Sequence, residues 1–284
     1  MNKEEINSTQ YIENIIRDKN IKELIFTQKY RLTNSIKMGF KTIFFGKKWI
    51  IYFVLAFINL LVIILLEGSN AEYKYPARSF VNMVFDWLFP FMFIFGCLIL
   101  SLPLSVDEIS DHTIDYYLVR PIKREIYWLS RWIVINIVVF CVNVIIYFIY
   151  FLYFHAYASD GSFSGLDSNL HIFGFIVILL IPATLIYSGL FLLVGMIGNR
   201  GLLLGLMLAI FEVFFVSLFV LSDNLYIPQT NLYKIAEELF IEYEYIEFEP
   251  PNDLELLNAW LYSIIFSITV FIGGAFYLRI REIK

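Results

Sequence analysis

Six apolar stretches divide the chain, and polar segments of unequal length separate them. Each stretch approaches the roughly 20 apolar residues that a helix needs to cross the hydrocarbon of a bilayer. The short alternating segments of a membrane β-barrel do not occur in the sequence, so each stretch predicts a transmembrane α-helix. The predicted spans are 49–66, 87–106, 132–154, 171–197, 201–221 and 259–278.

Two polar segments carry a helical pattern of their own. Residues 1–31 predict a cytoplasmic lead-in, and 32–48 predict an amphipathic helix that lies on the inner leaflet. Lys37 and Lys41 border its apolar face, so a basic segment attracted to anionic lipid is an equal interpretation. The long outer segment 222–258 predicts an extracellular helix with an acidic second half. The apolar faces consist of Leu32, Ile36, Phe40, Ile43 and Phe44 in the first helix, and Leu232, Ile235, Ala236, Leu239 and Phe240 in the second.

Composition indicates a membrane protein, and the distribution of charge orients it. Hydrophobic residues make up 59% of the chain and aromatic residues 19%, more than the surface of a soluble domain can carry. Eighteen of the 21 Lys and Arg residues lie in 1–48, in 107–131, at Arg200 or after the last span. Basic loops stay inside, so we expect a multi-pass plasma-membrane protein with both termini and 107–131 in the cytoplasm. The net charge of −5 does not suggest a nucleic-acid partner.

The polar segment 107–131, called the island below, is far longer than a connection between neighbouring helices requires. Ser110 or Asp111 can cap a short helix, which Pro121 ends. A second helix follows, and its apolar side leaves Lys123, Arg124 and Arg131 to the wet side and the membrane boundary. Two short helices that meet at a corner predict a surface that contacts another protein.

A few polar residues interrupt the predicted spans. Glu212 lies near the middle of the fifth, where an ionised carboxylate is costly unless it faces protein or water. Gly201 and Gly205 project within about 40° of it and have the Gly-x-x-x-Gly spacing of closely packed helices. The acid therefore belongs to a subunit interface or translocation pathway, or it is a structural group bonded to a neighbour. Asn136 and Asn143 share one face of the third span, where they line a pathway or join helices by hydrogen bonds.

Groups suited to catalysis or metal binding are scarce. Cys97 and Cys141 lie inside predicted spans, which indicates apolar packing, and the three histidines have no metal-ligand spacing. Six residues separate Gly39 from Gly46, whereas a phosphate-binding loop needs four. We therefore expect no catalytic residue, no metal site and no nucleotide site in this chain.

The island carries a sequence that is similar to a family pattern: two acids, Thr before an apolar residue, an apolar run and Arg-Pro-Ile-x-Arg. The residues in those places are Asp107, Glu108, Thr113, Ile114, Tyr117, Leu118, Arg120, Pro121, Ile122 and Arg124. With six spans and helical segments before the first and last of them, this pattern resembles the membrane subunit of a type-2 ATP-binding cassette (ABC) exporter. His112 in place of Gly and Ser130-Arg131 in place of Gly-Lys depart from the family pattern.

The resemblance implies one all-α membrane domain over 1–284, with an N-terminal elbow helix, six spans and an extracellular helical segment. It also implies a coupling helix at 111–119 that docks on a separate ATPase subunit. ATP hydrolysis there, with ATP and Mg²⁺ bound in the partner and no cofactor in this chain, would rock two identical or different permease subunits. The residues implied to contact the ATPase are Asp107, Glu108, Asp111, His112, Thr113, Asp115, Tyr116, Arg120 and Arg124.

Two other classes of function stay open. An intramembrane enzyme could use Glu212, although no second acid or histidine lies three or four residues from it. A non-transporting membrane anchor or sensor could use the island to recruit a different cytoplasmic protein. An ATPase that co-purifies with the chain would separate an exporter from both.

Overall fold

The computed structural model describes residues 30–67, 75–110, 124–157, 165–216, 228–240 and 255–280. Within these ranges the chain is helical almost throughout and contains no β-strand, which confirms the all-α prediction. The predicted coupling helix at 111–119 and nearly all of the lead-in lie outside the described ranges.

The described part of the chain holds nine α-helices and two π-helical segments. The α-helices are α1 Tyr30–Phe45, α2 Lys48–Glu67, α3 Pro76–Met83, α4 Ile94–Ser110, α5 Arg124–Ala156, α6 Leu166–Gly195, α7 Asn199–Ile210, α8 Pro228–Phe240 and α9 Leu256–Ile280. The segment π1, Val84–Phe93, joins α3 to α4, and π2, Phe211–Val216, continues α7. The second predicted span therefore begins earlier, at Pro76, and α5 runs without interruption from the island through the third predicted span.

Four of the described helices are long and apolar enough to cross a membrane: Pro76–Ile109, Arg124–Ala156, Leu166–Gly195 and Leu256–Ile280. Helices α1 and α2 meet at a bend of 49° and make a fifth if they count as one broken span. These helices support a polytopic membrane protein. The count of six, with α2 and α7 as separate crossings, stays a prediction.

Helix α6 lies at the centre of the bundle. It contacts α4, α5, α7, α8 and α9. The four consecutive residues 186–189 are all buried, and four residues complete a turn of an α-helix, so neighbours surround α6 at this height. A helix that is apolar on all sides belongs in the interior, which explains the position of α6.

The close approach of α6 to α4 depends on the glycine at the C-terminal end of α6. A Cβ atom on Gly195 would lie 2.7 Å from the carbonyl oxygen of Leu102 and 2.9 Å from the Cβ of Ser105. The Ser105 hydroxyl donates to the carbonyl oxygen of Leu192 (2.9 Å), which joins the two helices at the same height. The absent side chain thus allows the main chain of α6 to lie against that of α4.

We expect Gly195→Ala to lower the free energy of unfolding by about 1–3 kcal/mol, because its methyl group meets main-chain atoms that cannot rotate away. The matched control is Gly174→Ala in the same helix, where an added Cβ meets nothing within 4 Å. This control should be neutral or slightly stabilising, since alanine favours helix more than glycine. Unfolding of both variants in mixed micelles measures the difference. Equal stability of the two would contradict the close contact between α6 and α4.

Candidate functional site

The structure describes the two flanks of the island. Asp107 and Glu108 lie in the last turns of α4, and Arg124 is the first residue of α5. The other residues expected to contact an ATPase lie outside the described ranges: Asp111, His112, Thr113, Asp115, Tyr116 and Arg120. The candidate site is therefore built from its flanks.

A buried ion pair joins these flanks. Arg131 Nη2 lies 2.6 Å from Glu108 Oε1, and Arg131 Nε donates to Glu108 Oε2 at 3.0 Å. Glu108 is 4% exposed and Arg131 is 2% exposed. The hydroxyl of Tyr127 also donates to Glu108 Oε2, and the Arg131 guanidinium lies 5.0 Å from the centre of the Tyr127 ring. One charge-assisted hydrogen bond and one close ion-pair contact thus join Arg131 to Glu108, and they fix α4 against α5.

The same guanidinium reaches helix α1. Arg131 Nη1 donates to the main-chain oxygen of Ser35 at 3.1 Å. A Cβ atom on Gly39 would lie 2.7 Å from Nη1, so the glycine leaves the space that the guanidinium occupies. The Ser130 hydroxyl donates to the Tyr127 carbonyl (2.7 Å), which leaves its oxygen to accept from the Ser35 hydroxyl at 2.6 Å. Helix α1 is thus bonded to α5 at two adjacent residues.

The prediction that Arg131 faces the wet side is wrong. Helical spacing along α5 separates apolar from polar positions but does not show what the neighbouring helices offer. Glu108 on α4 offers a carboxylate at this height, and burial of the pair costs less than burial of either charge alone. A sequence signal was present, because Arg131 is a charge between Trp128 and Trp132 in an apolar run, and such a charge needs a partner.

Arg124 connects the island to the last helix. Its Nη1 donates to the carbonyl oxygens of Leu278 (3.0 Å) and Arg279 (3.3 Å) at the end of α9. Carbonyl groups in the last turn of a helix have no partner within the helix, and the helix dipole favours a cation there. Arg124 therefore caps α9, and the flanks of the island are bonded to both α1 and α9.

Glu212 lies at a second buried site, in π2, where it is 7% exposed. Its Oε1 accepts a hydrogen bond from the Tyr187 hydroxyl of α6 (2.6 Å), and its carboxylate accepts another from the main-chain N–H of Gln229. Gln229 is the second residue of α8, where main-chain N–H groups lack partners within the helix. Glu212 therefore caps helix α8 from a different helical segment and joins it to α6.

Tyr233 attaches α8 to π1. Its hydroxyl donates to the main-chain oxygen of Phe85 at 3.0 Å and accepts from Gln229 Nε2 at 3.2 Å. Burial raises the pKa of Tyr233 to about 12, so the phenol stays protonated and remains a donor at neutral pH. Helix α8 is thus bonded to Glu212 of π2 and to Phe85 of π1.

Gly201 and Gly205 lie on the buried face of α7. A Cβ atom on Gly201 would meet the carbonyl of Val194, and one on Gly205 would meet the side chain of Leu102. Ala209 and Glu212 continue this buried face. The close contacts of α7 at the two glycines are therefore with α6 and α4 of the same chain.

Asn136 and Asn143 join different pairs of helices. Asn136 Oδ1 accepts from the Ser188 hydroxyl of α6 (2.8 Å), whereas Asn143 Oδ1 accepts from the Tyr52 hydroxyl of α2 (2.7 Å). Each side-chain amide also donates to the carbonyl four residues earlier in α5. Their contacts are hydrogen bonds between helices, and neither amide bonds to the Glu212 carboxylate.

Within the described ranges, no group of three or more His, Cys, Asp or Glu side chains is arranged to hold a metal ion. Cys97 is buried and Cys141 is exposed, and both are free thiols. His155 joins α5 to the first turns of α6 by accepting from Asn169 Nδ2 at 3.1 Å. This contact positions a helix end.

The chain matches no protein-family model, no curated protein and no solved structure. The resemblance of the island to a family pattern therefore stands on the residues of this sequence alone.

We expect Arg131→Met to lower the free energy of unfolding by about 3–5 kcal/mol, because Glu108 is left as a buried charge without its cation. Adding Glu108→Gln to Arg131→Met should recover most of that loss, since no unpaired charge remains. Arg200→Met is the matched control, because Arg200 is exposed. Unfolding of the four proteins in mixed micelles measures the effect. The ion pair would be energetically unimportant if the single Arg131 variant unfolded like the control.

We expect Glu212→Leu to increase hydrogen exchange of the α8 amides about tenfold, which corresponds to about 1.4 kcal/mol, because the N–H of Gln229 loses its acceptor. Glu212→Gln keeps one carbonyl oxygen and should have a smaller effect, and Tyr187→Phe should also fall between the parent and the Leu variant. Tyr157→Phe, at an exposed tyrosine, is the control. Mass spectrometry of peptides that cover 228–240 gives the rates. Unchanged exchange in Glu212→Leu would show that the acid does not hold α8.

Proposed function

We propose that this chain is the membrane subunit of an ABC exporter in the plasma membrane, driven by ATP hydrolysis in a separate ATPase subunit that docks on the island. Two observations support the proposal. The sequence of the island resembles the coupling segment of type-2 exporters. The flanks of the island are bonded to each other by the buried Glu108–Arg131 pair and, through Arg131 and Arg124, to α1 and α9.

The strongest support for the proposal is that the flanks of the island are bonded to each other and to the rest of the bundle. A segment that only connects two spans needs no attachment to other helices, and a flexible one would absorb displacement locally. A segment that conveys force from a partner must have flanks that cannot move independently of the bundle. A buried ion pair with a charge-assisted hydrogen bond and an arginine that caps a helix end provide that attachment.

The remaining parts of the proposal follow from the same function. A coupling helix at 111–119 docks on the ATPase, in contact with the island residues named above, and ATP and Mg²⁺ bind in that partner. A second permease subunit, identical or different, completes a pathway, and both termini lie in the cytoplasm. Six spans cross the membrane, with α2 as the first and α7 with π2 within the fifth.

The polar residues inside the bundle receive a structural assignment in this proposal. Glu212 holds α8 to α6, the glycines of α7 pack against α4 and α6, and Asn136 and Asn143 join helices. All of these contacts lie within one chain. A place at the pathway or at the contact with the second subunit stays a prediction for Glu212, Gly201, Gly205, Asn136 and Asn143.

The island itself provides the test. We expect replacement of 111–118 by Gly-Ser repeats to leave the chain in the membrane but to abolish its association with an ATPase subunit, because the docking helix is lost. The matched control is a Gly-Ser replacement of equal length at 241–248, in the predicted outer segment. Affinity capture of the tagged chain from its native membranes, followed by ATP hydrolysis assays of the eluate, measures association.

Association that survives the island replacement would overturn the proposed docking site. Capture of a partner with no ATPase activity, lost on replacement, would favour the membrane anchor or sensor. Loss in both replacement variants would indicate a folding defect, and single substitutions within 111–118 then decide between docking and folding.

A further inference from the structure

We infer that Arg131 is a positioning residue that transmits displacement of the island to helix α1. The inference deepens the proposed function and rests on it, because it assigns a route by which force on the island reaches the elbow helix. Arg131 is 2% exposed, so it acts from within the bundle.

One guanidinium bridges three helices. Arg131 belongs to α5, its Nε donates to Glu108 of α4 while its Nη2 lies in ion-pair contact with the same carboxylate, and its Nη1 donates to Ser35 of α1. The guanidinium is a rigid plane with fixed directions for its N–H groups, so its three contacts cannot shift independently. A movement of Glu108 relative to α5 must therefore alter the bond to α1.

The two residues of the ion pair close the island at its base. They are 23 positions apart in the sequence, and nearly the whole island lies between them. Force on a docked island acts on the last turn of α4 and the first turns of α5, which are the turns that the pair joins. The pair is thus placed where displacement of the island enters the bundle.

The contact with α1 involves main-chain atoms and a glycine. Arg131 Nη1 bonds to a carbonyl oxygen of α1, and the absence of a side chain on Gly39 allows this approach. A bond to the main chain moves the whole helix, whereas a bond to a long side chain can be absorbed by rotamer changes. The Ser35–Ser130 hydrogen bond adds a second attachment one residue away along α5.

Stability alone does not account for this arrangement. An ion pair away from water loses hydration that its attraction only partly returns, and apolar residues of similar volume often stabilise a fold as well or better. The pair, however, fixes three helices in one relative position, which apolar contacts do less specifically. Control of position is what a transmission element requires.

The test asks whether the island influences α1 through Arg131. Spin labels are placed at Lys37→Cys on α1 and Ile149→Cys on α5, both exposed positions, after replacement of Cys97 and Cys141 by alanine. Distances between the labels are measured in lipid nanodiscs for the full chain, with the native island and with 111–118 replaced by Gly-Ser repeats. Both forms are made with Arg131, with Arg131→Met and with the exposed control Arg200→Met.

We expect the Gly-Ser replacement to shift or broaden the distance distribution when Arg131 is present, and to do so equally in Arg200→Met. The same replacement should have no effect in Arg131→Met, because the route to α1 is already broken. If Arg131→Met does not fold, Glu108→Gln with Arg131→Met takes its place. Arg131→Lys, which keeps the charge beside Glu108 but loses the fork, should retain stability and lose the response of α1.

An effect of equal size with and without Arg131, or no effect in either form, overturns the inference. The inference is also overturned if the Gly-Ser replacement still changes the label distance in Arg131→Lys and in the double variant. The capture experiment on the island is independent of these distances. Lost capture with equal distance effects rejects only the role of Arg131, whereas retained capture with an Arg131-dependent response rejects only the docking site.

Discussion

Hydrocarbon offers no hydrogen-bond partner, so a polar group that a membrane bundle buries is costly unless the protein itself supplies a partner. In the described part of this chain, many buried polar side chains meet that constraint by bonding across helices. The main pairs are Glu108–Arg131, Glu212–Tyr187, Asn136–Ser188 and Asn143–Tyr52. Each bond forms only at one relative height of its two helices, so satisfaction of the polar groups also sets how the helices are aligned.

The π-helical segments extend this principle to the main chain. In π1, the carbonyl of Phe85 accepts from the Tyr233 hydroxyl of α8 at 3.0 Å. The carbonyl of Met92 lies 3.0 Å from the Tyr52 hydroxyl of α2, which shares its one proton between this carbonyl and Asn143 Oδ1. A π-helical turn changes the hydrogen-bond pattern of a helix without ending it, and such turns are often found at functional sites. Here π1 attaches α8 and α2 to the bundle, and it contacts π2, which carries Glu212.

The sequence predicts what depends on local geometry and misses what depends on contacts between distant helices. Apolar runs predict the membrane helices because each must cover its backbone against lipid. The spacing of Gly201, Gly205 and Glu212 predicts one face of α7, since it needs only the period of a helix. The pairing of Arg131 with Glu108 does not follow from spacing, because the two residues lie on different helices 23 positions apart. The apolar stripe of α1 predicts a helix that lies on lipid. Ser35 and Gly39 also have a small-x-x-x-small spacing, the same type of signal as in α7, and both residues contact α5.

The length of α5 gives the contacts of Arg131 a wider consequence. This helix is a single element of 33 residues that begins at Arg124, within the island, and ends at Ala156. At a rise of 1.5 Å per residue it is about 50 Å long, more than the thickness of the hydrocarbon core. Near its N-terminus it bonds to α1, α4 and α9, and near its C-terminus His155 bonds to Asn169 at the start of α6, the central helix. No break interrupts α5 between these two sets of contacts. In the proposed function, α5 is therefore the element that connects the island to the beginning of α6.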